Sequence, residues 1–180
     1  MGGVGGVTDA PLGLFPGALI LGIDPGTRAT GYGAVRYGRP RHELVECGVT
    51  RPRGHNLAER IVDLHEEIGG LIDRLEPTCT AIEAVFSGRN PRTALVMGHA
   101  RGVILLAAAS RNLPIWEYSP AEIKKRIAGT GAATKGQIGF MVKHHLDLVE
   151  PPAPDDAADG CAVALCHALA ATSPAVLGRR

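Results

Sequence analysis

Four acidic residues stand where a carboxylate is costly or where acids are unusually concentrated. Asp24 ends an apolar run over residues 19–23 that predicts a buried strand, and Glu83 lies inside a second such run, TAIEAVF. Asp156 and Asp159 are three residues apart, so on a helix both would project from one face. A buried carboxylate is unfavourable unless a cation or hydrogen bonds compensate it. These four side chains are therefore the first candidates for chemistry.

Each of these acids also has a purely structural explanation when it is taken alone. Asp24 precedes Pro-Gly and could be a turn residue. Glu83 could be neutralised by a buried lysine or arginine. Asp156 and Asp159 could cap the N-terminus of a helix, and we assign the neighbouring Asp155 to such a cap.

Taken together, the four carboxylates favour a site for divalent metal ions. Like charges that converge raise each other's pKa and destabilise the fold, and a divalent cation removes that penalty. Ligands that are all oxygen suit Mg²⁺, with Mn²⁺ as the alternative. Two such ions about 4 Å apart would activate a water and stabilise the leaving oxygen of a phosphodiester. The pattern therefore predicts metal-dependent phosphodiester hydrolysis.

The elements that must position these acids form a mixed α/β pattern. Three strand-like runs at 19–24, 31–37 and 44–49, joined by short polar turns, favour an antiparallel meander. A helical periodicity begins after Asn56. The remaining predicted elements are a strand at 78–86, a helix at 91–111, a strand at 113–118, and helices from Ser119-Pro120, at 137–146 and from Asp155 or Asp156 to about Ala171. This order predicts a mixed sheet with helices on its faces.

Composition limits the class of protein. The chain has 180 residues, of which 45% are hydrophobic, and a formal net charge of +1, so any basic surface for nucleic acid must be local. The four cysteines show neither a CxxC pair nor zinc-ligand spacing, and we interpret them as free thiols in a reducing cytosol. The most apolar segment, 94–109, is interrupted by His99 and Arg101 and is too short for a bilayer span. We expect a cytoplasmic protein that does not bind membranes.

Six motifs follow one another between about Leu19 and Ala168: GIDPGTRATGYG, AIEAVF, ARGV, EYSPAEIKK, GTGAATKGQ and DDAADGCAVALCHA. Together they resemble the RuvC family of bacterial Holliday-junction resolvases. The resemblance implies an RNase H-like fold with a mixed five-stranded sheet, three antiparallel strands followed by two parallel ones, and helices on both faces. It also implies a homodimer that nicks two opposed strands of a four-way DNA junction, with two Mg²⁺ ions per active site and no small-molecule cofactor. The RuvA–RuvB branch-migration complex is the implied protein partner.

The motif positions also carry residue roles from the family. Asp24, Glu83, Asp156 and Asp159 fall on its four acidic metal-binding positions, although some relatives have a histidine where Asp156 stands. The catalytic set is completed by two lysines that the family places near the scissile phosphate, Lys124 and Lys135. From sequence alone, Lys135 could equally lie on a flexible surface loop, because it follows a Gly-rich segment.

Three further residues are candidates for DNA binding. Phe86 lies three residues after Glu83 and is followed by the basic segment SGRNPR. It could be a core residue, but the resemblance gives a phenylalanine here the role of stacking on an unpaired base at the crossover. Arg89 and Arg92 would then bind phosphates, the alternative being a solvated charged loop.

The predicted helix at 91–111 is apolar on more than one face. Such a helix must be covered on more than one side, and Gly98 and Gly102, four residues apart, would allow close packing. One side can be the sheet. We expect a two-fold partner to supply the other, since two-fold dimers are the commonest oligomers.

The expected domain organisation is simple, and two other functions stay open. We expect a disordered Gly-rich extension over 1–17, an RNase H-like nuclease domain over 18–172 and a flexible tail over 173–180.

DPGTRATGYG also resembles the phosphate loop of actin-like nucleotide-binding proteins, but those need two domains that close on ATP. The third candidate is an RNase H-like RNA-processing nuclease, or a junction binder without cleavage. Phe86 and the downstream lysines argue against the RNA enzyme, and the complete acid set argues against lost cleavage.

Overall fold

Five strands form one sheet in this computed structural model, which describes residues 14–84 and 91–172, with the backbone alone at 91 and 92. The strands are β1 (Leu19–Asp24), β2 (Thr30–Arg36), β3 (Glu43–Thr50), β4 (Cys79–Glu83) and β5 (Ile115–Tyr118). Their order across the sheet is β3-β2-β1-β4-β5. β1–β2 and β2–β3 are antiparallel, whereas β1–β4 and β4–β5 are parallel. The predicted mixed five-stranded sheet is confirmed.

The helices are α1 (Leu57–Leu75), α2 (Pro91–Ala109), α3 (Pro120–Ala128), α4 (Lys135–His145) and α5 (Asp155–Ala171). Asn56, Ser119 and Thr134 cap α1, α3 and α4, each accepting a hydrogen bond from the backbone N–H three residues ahead. α5 is preceded by Pro154 and has no side-chain cap. The assignment of Asp155 to such a cap is therefore wrong, because no carboxylate oxygen accepts a capping hydrogen bond from the first turn of α5.

Helices cover both faces of the sheet, as expected. α1 and α2 pack on the face that carries Leu21, Ile23 and Ile82. α3, α4 and α5 pack on the face that carries Ile20 and Ala81. Side chains in a strand alternate between faces, so each of β1 and β4 contributes to both cores. In the described parts of the chain, no helix has the length and apolarity needed to cross a membrane.

The backbone of α5 lies directly on the backbones of β1 and β2, and glycines make this possible. A Cβ added to Gly22 would lie 2.3 Å from the amide nitrogen of Ala164, and one added to Gly31 would lie 1.8 Å from the carbonyl oxygen of Asp156. A Cβ on Gly160 of α5 would lie 2.5 Å from the backbone of Tyr32. Real Cβ contacts are longer than these, so any larger residue would push the helix off the sheet.

Several element boundaries differ from the prediction. β4 is Cys79–Glu83 within the predicted 78–86, whose last two residues lie outside the described ones, α2 ends at Ala109 and not at 111, and β5 begins at Ile115 and not at 113. The start of α4 bears on the site. α4 begins at Lys135 and not at 137, because Thr134 and Gln137 form a reciprocal capping box. Lys135 is thus the first residue of a helix, and the alternative that placed it on a flexible loop is wrong. Within the predicted extension, Leu14 packs against the core and the Gly17 N–H donates to the Tyr37 carbonyl oxygen at 2.8 Å.

Candidate metal and phosphate site

Strand alternation directs the first two acids toward the same side of the sheet. Gly22 contacts α5, so Asp24, two residues later in β1, points to the α5 side as well. In β4, Ala81 belongs to the core beneath α5, and Glu83 follows it by two residues. β1 and β4 are neighbouring parallel strands, paired as far as Ile23 with Ile82. Their terminal acids therefore lie side by side.

The N-terminal end of α5 brings the other two acids to the same place. Asp24 pairs with Gly31 of β2, and the Asp156 backbone rests on Gly31. Asp159 lies almost one turn further along α5, next to Gly160, which contacts Tyr32. Close backbone contact at these glycines is what puts the first turn of α5 above the end of β1. The predicted convergence of Asp24, Glu83, Asp156 and Asp159 is thus compatible with the fold.

Electrostatic coupling between the acids reflects this convergence. Burial and the Asp159 carboxylate raise the pKa of Asp24 from 3.8 to about 6, with a smaller contribution from Asp156. Burial and the Asp24 and Asp159 carboxylates raise the pKa of Glu83 from 4.5 to about 7. Ionising these two side chains therefore costs the folded state free energy that a bound cation would offset.

The two predicted lysines lie at this cluster. The Lys135 Nζ forms an ion pair with Asp159 Oδ2 at 2.9 Å, and this contact raises the pKa of Lys135. Lys124 and Lys135 both lower the pKa of Glu83, against the larger effects of burial and of the other acids. Only Asp159 among the four acids is ion-paired to a described side chain. The alternative in which Glu83 is neutralised by its own lysine or arginine therefore lacks a partner among the described residues.

The turn after Asp24 is held by a different residue. Thr30 Oγ1 accepts a hydrogen bond from the Gly26 N–H at 3.1 Å and donates one to the Gly26 carbonyl oxygen at 2.6 Å. The Asp24 carboxylate is not part of these bonds. The explanation of Asp24 as a turn residue is thus unnecessary, because Thr30 closes the turn.

The donor set fits a hard divalent cation, although the ligands are not preassembled. Across residues 14–84 and 91–172, no three carboxylate, imidazole or thiolate groups already stand at metal-binding spacing. The observation in favour of a cation is the pair of half-buried carboxylates, Asp24 and Glu83, for which the described part of the chain provides no ion-pair partner. Carboxylate oxygens of this kind suit Mg²⁺ or Mn²⁺. Binding would draw the acids together and compete with Lys135 for Asp159.

The predicted DNA-binding residues on the segment after Glu83 lie outside the described residues. These are Phe86 and Arg89, together with the side chain of Arg92, whose backbone lies in the first turn of α2. Their predicted roles therefore stay predictions.

The sequence analysis did not identify the glycines that allow the backbone of α5 to contact the sheet. A signal was present, since Gly31 and Gly33 are two residues apart in one strand and therefore share a face. A Cβ on Gly33 would lie 2.6 Å from the Cα of Cys161. Such a bare strip on a strand predicts close approach of another backbone.

Comparison with known proteins identifies the family. The family model described as crossover junction endodeoxyribonuclease RuvC matches residues 20–167. A RuvC from Pelotomaculum thermopropionicum is 51% identical over 151 residues, which cover 83% of this chain and 92% of the relative. A RuvC from Moorella thermoacetica is 49% identical over 152 residues, covering 83% of this chain and 90% of the relative.

Solved structures agree with this similarity. The Thermus thermophilus RuvC structure aligns with a TM-score of 0.77 at 32% identity, covering 86% of this chain and 95% of that one. The same protein in complex with Holliday junction substrate aligns with a TM-score of 0.77 at 29% identity, with the same coverage. A yeast mitochondrial Holliday junction resolvase shares the fold with a TM-score of 0.63 at 17% identity, covering 91% of this chain and 84% of its own.

The raised pKa values predict how stability depends on pH in metal-free protein. Between about pH 7 and pH 4 the folded state binds protons at Glu83 and Asp24 that the unfolded chain does not, so stability rises as pH falls through this window. For Asp24 the rise from 3.8 to about 6 corresponds to about 3 kcal/mol as an upper bound. Asp24→Asn should therefore raise the melting temperature in EDTA at pH 8 and flatten its pH dependence.

Added Mg²⁺ supplies the matching test of the site. At pH 8 it should raise the melting temperature of the wild type and of Asp155→Asn, whose exposed side chain lies outside the coupled cluster, but not that of Asp24→Asn. Thermal denaturation with and without Mg²⁺ measures both effects. An equal Mg²⁺ shift in all three proteins would place the ion elsewhere.

Proposed function

The chain belongs to the RuvC family of crossover junction endodeoxyribonucleases, and we propose that it resolves four-way (Holliday) DNA junctions by paired, symmetric nicks in opposed strands during recombination and repair. The observation that carries the proposal is the carboxylate cluster at the first turn of α5, where half-buried Asp24 and Glu83 have no ion-pair partner among the described side chains. A relative from Thermus thermophilus is known in complex with Holliday junction substrate.

We assign the four acids to metal binding. Asp24, Glu83, Asp156 and Asp159 would hold two Mg²⁺ ions, or Mn²⁺ in their place. When bound, the metal supplies Lewis-acid activation of the attacking water and of the leaving oxygen. The contribution of the chain is to bring four carboxylates together in a partly dry site, where burial and repulsion raise the pKa of Asp24 and Glu83.

The two lysines are assigned to the scissile phosphate. Lys135 is two-thirds exposed as the first residue of α4, and its ammonium already reaches the cluster through Asp159. A lysine ammonium can bind a phosphate oxygen as a point charge and stabilise the negative charge that develops there. Lys124 on α3 also lowers the pKa of Glu83, so its positive charge acts on the same cluster. A phosphodiester bound at the acids would therefore meet the charge of two lysines.

DNA contacts beyond the scissile phosphate are assigned to the segment between β4 and α2 and to the first turn of α2. Phe86 would stack on an unpaired base at the crossover. Arg89 and Arg92 would bind neighbouring phosphates and fix the position of the DNA. This segment directly follows Glu83, so a base held there would place its phosphate next to the acids.

A two-fold dimer would present two such sites to the two equivalent strands of a junction. The outer face of α2 supports this assembly, because the side chains of Leu95 and Leu106 are 66% and 59% exposed there. Gly98 and Gly102 between them have nothing within 4 Å, which leaves room for the backbone of a partner helix. The opposite side of α2 is buried in the core between α1 and the sheet, through Ala100, Ile104, Ala107 and Ala108. We further propose a cytoplasmic enzyme that works with the RuvA–RuvB complex.

Cleavage of a synthetic four-way junction tests the proposed activity. With Mg²⁺, the wild type and Asp155→Asn should nick opposed strands symmetrically, whereas Asp24→Asn should bind the junction but lose at least about a hundredfold in cleavage rate, the scale of a lost electrostatic group. Denaturing gels and gel-shift assays measure the two properties. Linear duplex, RNA and ATP serve as competing substrates. Equal cutting of linear duplex or RNA, or ATP hydrolysis without nicking, would contradict the proposal.

Analytical ultracentrifugation tests the dimer. At micromolar concentration the wild type should sediment as a dimer, and Leu106→Asp should shift it toward monomer, because a charge would be buried at the interface. Val149→Asp is the matched control, since Val149 is 87% exposed and precedes α5 on the opposite face of the sheet. A wild type that remains monomeric would remove this part of the proposal.

A further inference from the structure

Two cysteines that are distant in sequence lie against each other at the edge of the sheet. Cys47 in the edge strand β3 pairs with Gly33 in β2. Cys161 of α5 lies over the same glycine, because a Cβ on Gly33 would be 2.7 Å from Cys161 Sγ. Gly33 therefore leaves the space in which the two thiols meet.

The two thiols lie close enough to interact. The Cys161 thiol lowers the pKa of Cys47 by hydrogen bonding, against the effects of burial and of Glu46. Cys161 is fully buried, whereas Cys47 is only partly buried and packs against the rim of the core. An oxidant from solvent would thus reach Cys47 first and find Cys161 directly behind it.

We propose that Cys47 and Cys161 are a modification site: a hydroperoxide oxidises them to an internal disulfide that ties β3 to α5. The backbone geometry is suitable. Disulfides join Cα atoms about 4.4–6.8 Å apart. Neighbouring strands are about 4.8 Å apart, and the backbone of α5 rests on β2 at Gly33 itself. Because both cysteines adjoin Gly33, the bond can form with β3 and α5 in their present positions.

The chemistry balances with a peroxide as the oxidant. The Cys47 sulfur, having lost its proton, attacks one peroxide oxygen, the O–O bond breaks, and hydroxide leaves and takes up that proton as water. Cys47 is then a sulfenic acid. The Cys161 sulfur attacks the Cys47 sulfur, the S–O bond breaks, and the Cys161 proton leaves with the hydroxyl as a second water. The two sulfurs have lost two electrons, and the peroxide has gained them.

The bond would fix the helix that carries Asp156 and Asp159. It joins residues that are far apart in the chain, and such crosslinks stabilise mainly by restricting the unfolded state. Cys161 follows these acids along α5, and the bond involves none of the four carboxylates. Oxidation should therefore raise thermal stability and leave the Mg²⁺-induced stabilisation in place. This inference does not depend on the proposed nuclease activity.

The experiment uses the full chain, purified under reducing conditions and treated with a small excess of hydrogen peroxide. After alkylation of the remaining thiols, non-reducing peptide mass spectrometry should find one crosslinked pair, Cys47 with Cys161, and two alkylated cysteines. The melting temperature should rise by several degrees, and dithiothreitol should reverse both changes. Cys166→Ala, which alters a buried cysteine of the same helix outside the pair, should behave as the wild type.

Cys47→Ser provides the decisive comparison, because this partly exposed edge position tolerates a small polar side chain. In that variant Cys161 should stay reduced, and peroxide should not raise the melting temperature. Several outcomes would overturn the proposal. These are oxidation of Cys47 to a sulfinic acid with Cys161 still free, disulfides only between molecules, and a melting temperature that peroxide raises equally in Cys47→Ser. If Cys166→Ala does not fold, the peptide mass spectrometry of the wild type still shows whether Cys47 and Cys161 are crosslinked.

Discussion

Close contact between the backbone of α5 and the backbones of β1 and β2 is the constraint on which the rest of the structure depends. A helix normally packs on a sheet through side chains, which keep the two backbones well apart. Here Gly22, Gly31 and Gly33 on the sheet, and Gly160 on the helix, remove those side chains at the contact. The first turn of α5 is thereby set above the end of β1, and two helix acids meet two strand acids.

The fold carries an electrostatic cost at that point. Burial and mutual repulsion hold the pKa of Asp24 at about 6 and that of Glu83 at about 7. The ion pair between Lys135 and Asp159 compensates only part of the negative charge. A protein that needed only stability would do better with apolar residues here. The cost is explained if the site binds divalent cations, because they supply the positive charge that the unliganded cluster lacks. This is the physical reason why the same residues that strain the fold are the candidates for catalysis.

Much of this arrangement could be predicted from the sequence, because it depends on local patterns. Alternation and apolar runs revealed the strands, and the position of Asp24 and Glu83 within such runs marked them as unusual. Two local assignments were wrong. Lys135 begins a helix because Thr134 and Gln137 cap each other, a Thr-x-x-Gln pattern that was already readable in the sequence. That Asp155 does not cap α5 could be seen only in the structure. The contact between Cys47 and Cys161 likewise could not be predicted, since it depends on how α5 crosses the sheet.

The account is tested most directly by placing a methyl group into the contact between α5 and β2. Gly160→Ala should lower the free energy of unfolding by at least about 1–3 kcal/mol, as overpacking does, and weaken the stabilisation by Mg²⁺, because α5 can no longer reach its position. Gly70→Ala is the control, since Gly70 lies in α1 with nothing within 4 Å, and it should gain roughly 0.5–1 kcal/mol from helix propensity. Denaturant unfolding with and without Mg²⁺ measures both quantities. A Gly160→Ala protein with wild-type stability and an unchanged response to Mg²⁺ would contradict the view that this backbone contact assembles the site.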